Sequence, residues 1–154
     1  MKPSKRLDEL GIDLPPVVQP VGVYVPAVRV GDRVLTSGQL PIRDGKLLYK
    51  GKVPIDVPLE DAREAAKIAA LNALAAAASA AGGIDHITRV VRLCVYVNSE
   101  KGFSDQPKVA NGASEVLGEI FGEAGRHARS AVGAAELPMN AAVEIELEVQ
   151  VNEE

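Results

Sequence analysis

Nothing in this chain restricts its fold more than the strict alternation of Val143-Glu144-Ile145-Glu146-Leu147-Glu148-Val149-Gln150-Val151. Successive side chains of a strand point to opposite sides of a sheet, so the aliphatic residues share one face and Glu144, Glu146, Glu148 and Gln150 the other. A helix would scatter both sets around its axis, which leaves a half-buried strand. Upstream, small and β-branched residues from His127 onward run into Leu137-Pro138-Met139-Asn140, which predicts a second strand joined to the first by a short turn. This reading sets Arg129 and Glu144 on neighbouring strands, on the face away from the core. A guanidinium matches a carboxylate ligand through two parallel hydrogen bonds, and a carboxylate can orient or activate a water. The competing reading, a solvated cross-strand ion pair, is the commoner arrangement.

The rest of the chain supplies what such a strand needs to be covered. Leu7, Leu10 and Ile12 give residues 3–13 a short helical pattern, and Pro15, Pro16 and Pro20 then impose an extended course, so residues 1–20 read as an N-terminal arm. From Val21 the chain reads as strand, through Tyr24, Val28 and Val30 to a tight turn at Gly31-Asp32, with Arg33–Thr36 returning. At Ser37-Gly38 glycine permits either a bulge or a close approach of backbone to a ligand. Residues 42–54 form a polar excursion with a short strand at Leu47–Tyr49. A helix over 58–81 carries Ala65, Ile68, Leu71, Ala75 and Ala78 on its inner stripe, and Gly82-Gly83 stop it. In the strand over 87–98, Val91, Leu93, Val95 and Val97 face inward and Arg92, Cys94 and Tyr96 outward. A second helix, capped by Ser104 or Asp105 and ending near Gly122, turns Val109, Ala113, Val116, Leu117 and Ile120 inward.

These elements predict an α+β fold in which a single layer of two helices covers one face of a mixed, mostly antiparallel sheet, the whole of 1–154 forming one domain. The opposite face would hold Cys94, Tyr96, Ala131 and Gly133 beside Arg92, Glu144 and Glu146. It is too apolar to be left wet, and closing it against identical sheets in a symmetric ring would cover it.

Composition narrows the function by exclusion. The net charge is −4 and the 17 Lys and Arg are scattered, which argues against nucleic acid as a main partner. The start lacks an apolar leader and no apolar run spans a bilayer, so a cytoplasmic protein with no membrane partner is expected. The single cysteine, Cys94, fits a reducing compartment. His86 and His127 lack ligand-spaced partners and read as surface histidines, not metal ligands. No phosphate loop or nucleophile elbow occurs.

Several separated motifs together resemble the Rid family, the YjgF-like reactive-intermediate deaminases. They are Arg129-Ser130-Ala131-Val132, Leu137-Pro138 and Val143-Glu144-Ile145-Glu146 near the C-terminus, with Gly22-Val23-Tyr24 and Leu35-Thr36-Ser37-Gly38-Gln39-Leu40-Pro41 upstream. Asn111, read as lying ahead of the second helix, also finds a counterpart. The resemblance implies a chorismate-mutase-like fold and a homotrimer with clefts between subunits. It implies that Arg129 binds the carboxylate of a 2-imino or 2-enamino acid, that Glu144 orients a water for attack on the imine carbon, and that the products are a 2-keto acid and ammonia. Tyr24 of a neighbouring subunit would wall the pocket, and Ser37, Gly38 and Asn111 would supply polar contacts. Ala131 stands where many deaminase members carry cysteine, a position used mainly through its backbone. No metal or organic cofactor is implied, because an imine hydrolyses readily once water is positioned. A non-catalytic module that binds small carboxylates or ketoacids stays open as the alternative, and the acidic balance disfavours a ribonuclease or translation inhibitor.

Overall fold

The computed structural model describes residues 1–152. In chain order the elements are α1 (Pro3–Leu10), β1 (Ala27–Val30), β2 (Arg33–Thr36), β3 (Ile42–Arg43), β4 (Lys46–Leu47), α2 (Leu59–Ala81), β5 (Ile87–Asn98), α3 (Gln106–Phe121), β6 (Ala128–Ala134) and β7 (Val143–Val151). The main sheet has the order β1-β2-β7-β5-β6, with β5 and β6 parallel and every other neighbour antiparallel. The expected α+β class and mixed, mostly antiparallel sheet are therefore present.

The turn expected between the last two strands does not make a hairpin, because β5 lies between β6 and β7. Their connection crosses the end of β5, where the Asn98 amide donates to Ala142 O at 2.9 Å and its Nδ2 to Ala141 O at 3.1 Å. Alternation identifies which residues share a face; it carries no information on which strand lies alongside. A smaller displacement occurs in β5, where Val90 rather than Val91 enters the core. The ladder steps from Val90 opposite Val149 to Arg92 opposite Glu148, so one extra residue on β5 reverses the phase of its neighbours, as a bulge does.

Val143, Ile145, Leu147, Val149 and Val151 are buried, together with Leu93, Val95 and Val97, beneath α2 and α3. Truncating one of the fully buried leucines, Leu74, Leu93 or Leu117, to alanine would cost about 2–5 kcal/mol. Burial on α2 extends well beyond the expected stripe, since Ala66, Ala69, Ala73 and Ala77 are also closed off by the elements around it. Small residues allow this: on α3, Gly112 comes so close to Arg63 O that a Cβ there would lie 2.0 Å from it. Leu71, expected inside, is only half-buried and lines a groove with the extended chain of residues 13–19.

The helical layer has three members, not two. Leu7 of α1 is buried in the common core, while Ser4 donates from its amide and its Oγ to the Asp85 carboxylate at 2.9 and 2.6 Å. The first part of the supposed arm is thus a docked helix, and only the proline-rich residues after it run extended. Residues 21–26 are not strand either, since pairing begins at Ala27, immediately after Pro26, which has no N–H to donate.

Candidate functional site

The positions singled out in the sequence gather into two separate groups. The first forms where β2 passes β7. Leu35 pairs with Glu148 and Gln39 bridges Ile145, so four steps on one strand answer three on the other, and Ser37-Gly38 occupies the resulting bulge. Gln39 N donates to Ile145 O at 2.8 Å and Ile145 N to Gln39 O at 2.9 Å, which fixes the bulge against the start of β7. The alternatives at Gly38 then merge: the bulge brings the backbone against the Glu144 side chain, and a Cβ at Gly38 would lie 2.8 Å from Glu144 Oε1. Burial raises the Glu144 pKa from its ordinary value, and the nearby Glu146 charge adds to the shift. Tyr96 lies directly across from Glu144 on β5. Its hydroxyl is pushed up to about 12, first by a hydrogen bond to Glu146 and then by burial, so it remains a donor. Ser37 Oγ donates to Val25 O, which ties down the segment that carries Tyr24. Tyr24 itself is half exposed and lies outside any strand.

The second group lies along β6 and α3. Arg129 Nη1 donates to Asn111 Oδ1 at 2.8 Å and to Ser114 Oγ at 3.2 Å. Among the described residues no acceptor meets its Nε or Nη2, and no carboxylate neutralises its charge. The Nε–Nη2 edge, which can donate to both oxygens of a carboxylate, is therefore without a hydrogen-bond partner among the described residues. Ala131 follows on the same side of β6, packed against the core. His127 is not the surface histidine expected from its spacing: it is partly buried and hydrogen-bonds Ser114 on α3. His86 is exposed, as expected.

The shared outer face expected for Arg129 and Glu144 is not found. Arg129 pairs with Leu93 and Ala131 with Val95, both core residues, so the side chains of Arg129 and Ala131, and position 133 with them, face the helices. Glu144 pairs with Tyr96 on the helix-free side. Ala131 and Gly133 are small enough to suit either face, so the sequence did not declare which way β6 turns. The helix-free face carries Cys94 and Tyr96 with Val28, Val30, Leu35 and Val132, each of these last four more than 40% exposed. Ser114 and His127 were missed as site residues. Their signal was the spacing: Asn111 and Ser114 are three apart on α3 and so share a face, and His127, just ahead of β6, is two residues from Arg129.

A family model described as "YjgF/chorismate_mutase-like, putative endoribonuclease" matches residues 4–150. The chain belongs to the YjgF/Rid family. Protein TCP17 of Trypanosoma cruzi is 42% identical over 150 residues, spanning 97% of this chain and 94% of that protein. A 2-iminobutanoate/2-iminopropanoate deaminase of Dermatophagoides farinae is 32% identical over 135 residues, spanning 88% and 91%. A crystal structure from Shewanella oneidensis MR-1, which carries the same endoribonuclease description as the family, superposes with a TM-score of 0.94 at 36% identity over 98% of this chain and all of that one. As a Rid-family chain, this protein has both the Arg129 and the Glu144 motifs and Ala131 between them. Among the described residues no cluster of three or more His, Cys, Asp or Glu could hold a metal ion, and no helix is long and apolar enough to cross a membrane.

Proposed function

We propose that the protein is a hydrolytic deaminase of 2-imino and 2-enamino acids, working in a cleft between two copies of itself in a homotrimer. The observation that carries this reading is the unneutralised guanidinium of Arg129, held at Nη1 by two neutral oxygens with its Nε–Nη2 edge open. Such an edge binds a planar carboxylate in register, which positions the adjacent imine carbon. Glu144 is on the opposite face of the same sheet, so Arg129 of one chain would act with Glu144, Gly38, Ser37 and Tyr24 of its neighbour. The exposed aliphatic residues on the helix-free face support such an assembly.

In the reaction, Glu144 accepts a proton as the water oxygen bonds to the imine carbon. That proton passes to the former imine nitrogen, completing a carbinolamine, and the proton of its new hydroxyl then reaches nitrogen through Glu144 as the C–N bond breaks and the C=O bond forms, leaving a 2-keto acid and ammonia. A raised carboxyl pKa suits a group that must take and return a proton near neutrality. The deaminase of Dermatophagoides farinae supports this chemistry at the level of the family. A ribonuclease reading is disfavoured by the net charge of −4 and by Glu144, Glu146 and Glu148, which a phosphate chain would meet on the open face.

The test is a coupled assay in which an amino-acid dehydratase generates 2-iminobutanoate and release of the ketoacid is followed with and without this protein. Acceleration over the spontaneous rate is expected, with loss of most of it in Glu144→Gln. Tight binding of 2-oxobutanoate with no acceleration would instead select the non-catalytic module. Sedimentation equilibrium is expected to give a trimer; a concentration-independent monomer overturns the shared cleft.

A further inference from the structure

Arg129 is the end of a chain of hydrogen bonds that runs through two side chains with no part in the reaction as described. His127 Nδ1 lies 2.6 Å from Gly125 O and its Nε2 lies 2.9 Å from Ser114 Oγ. A carbonyl oxygen can only accept, which assigns the ring proton to Nδ1. In the neutral ring Nε2 is then an acceptor, so the Ser114 hydroxyl donates to it and turns its lone pairs to Arg129 Nη1. Every bond points the same way, from Arg129 through Ser114 and His127 to the Gly125 carbonyl. The far end is rigid, because Gly125 is buried and a Cβ there would lie 2.6 Å from Leu117 O.

We infer that His127 is a positioning residue which, acting through Ser114, holds the Arg129 guanidinium with its Nε–Nη2 edge turned to the ligand; the ligand half of this statement rests on the carboxylate-binding reading above. Without His127 the Ser114 hydroxyl rotates freely and no longer presents a fixed acceptor. One of the two anchors of Nη1 is then lost, and Asn111 alone lets the guanidinium swing.

Hindered rotation of the guanidinium can be read without any ligand. In 15N-labelled protein the Nη signals of Arg129 should be resolved in the wild type, averaged in His127→Leu, and resolved again in His127→Gln, whose Oε1 can accept from Ser114. Ser114→Ala removes the relay atom with little change in volume and should behave as His127→Leu. By calorimetry with 2-oxobutanoate, Kd should rise roughly three- to tenfold in His127→Leu, the loss expected for one neutral hydrogen bond, and recover in His127→Gln. In the imine assay KM should move more than kcat. Unchanged Arg129 signals in both His127→Leu and Ser114→Ala overturn the relay, as does a His127→Gln protein as impaired as His127→Leu. If the wild type fails to bind 2-oxobutanoate, or Arg129→Lys binds it equally well, the carboxylate reading falls while the guanidinium signals still decide the relay.

Discussion

Replacing Gly38 by alanine separates catalysis from folding at this site. The new Cβ would lie 2.8 Å from Glu144 Oε1, 2.9 Å from Cδ and 3.2 Å from Cγ, where ordinary contact begins at 3.4 Å. The carboxylate must back away by about 0.6 Å, and it can, because it is the far end of a flexible side chain. The backbone at Gly38 is not in the left-handed region, so alanine adds no conformational strain there and reduces the entropy of the unfolded chain, an effect of about 0.4–1 kcal/mol in favour of folding. The two terms nearly offset, and thermal stability should stay within a few degrees of the wild type. Catalysis has no such compensation. A misplacement of about 1 Å in a catalytic group can cost a hundredfold, so a shift of this size should lower kcat in the coupled imine assay by roughly ten- to a hundredfold. Binding of 2-oxobutanoate, whose anchor in the proposed function is Arg129, should change much less. Full turnover in Gly38→Ala would show that the Glu144 carboxylate is not where the reacting water sits. A large drop in melting temperature would instead show that the bulge, and not the carboxylate, needs the glycine.

Arg129→Lys keeps the charge but loses the planar fork, and calorimetric affinity for 2-oxobutanoate should fall tenfold or more, matching about 1.5–3 kcal/mol of charged hydrogen bonding. Glu144→Gln should raise the melting temperature at neutral pH, because burial makes the ionised carboxylate unfavourable in the folded state. The sign is opposite to that of a salt-bridged acid: the folded pKa lies above the unfolded one, so the wild type loses stability as pH rises from the ordinary carboxyl value through the raised one, and the variant should not. Gly112→Ala should be severe, since the clash is with Arg63 O, a backbone atom that cannot turn aside; overpacking of this kind costs about 1–3 kcal/mol or more, visible in urea unfolding. Asp85→Asn should loosen α1. The Ser4 hydrogen bonds lower the Asp85 pKa, so the wild-type contact is present above the ordinary carboxyl range and lost as pH falls through the lowered value, measurable as hydrogen exchange in residues 3–10.

The local elements of this fold could be read from the chain because their causes are local. Alternation in β7, the Gly31-Asp32 turn and the run from Leu59 to Gly82 each express a period or a stop within a few residues. The pairing of Arg129 and Glu144 as the chemistry-bearing positions came from motif resemblance, and its place in the site needed more. Hydrogen bonding between distant strands inserted β5 between β6 and β7, and register against Leu93 turned Arg129 toward α3 and away from Glu144. Ala131 has only a methyl group and Gly133 no side chain at all, so neither buries much area on either face and no hydrophobic preference marked the side they take. The contact of Gly38 with Glu144 and the line from His127 through Ser114 to Arg129 both join residues far apart in sequence. Periodicity determined which residues point the same way along one element; only tertiary packing, which sets register and neighbours, decided which of them meet.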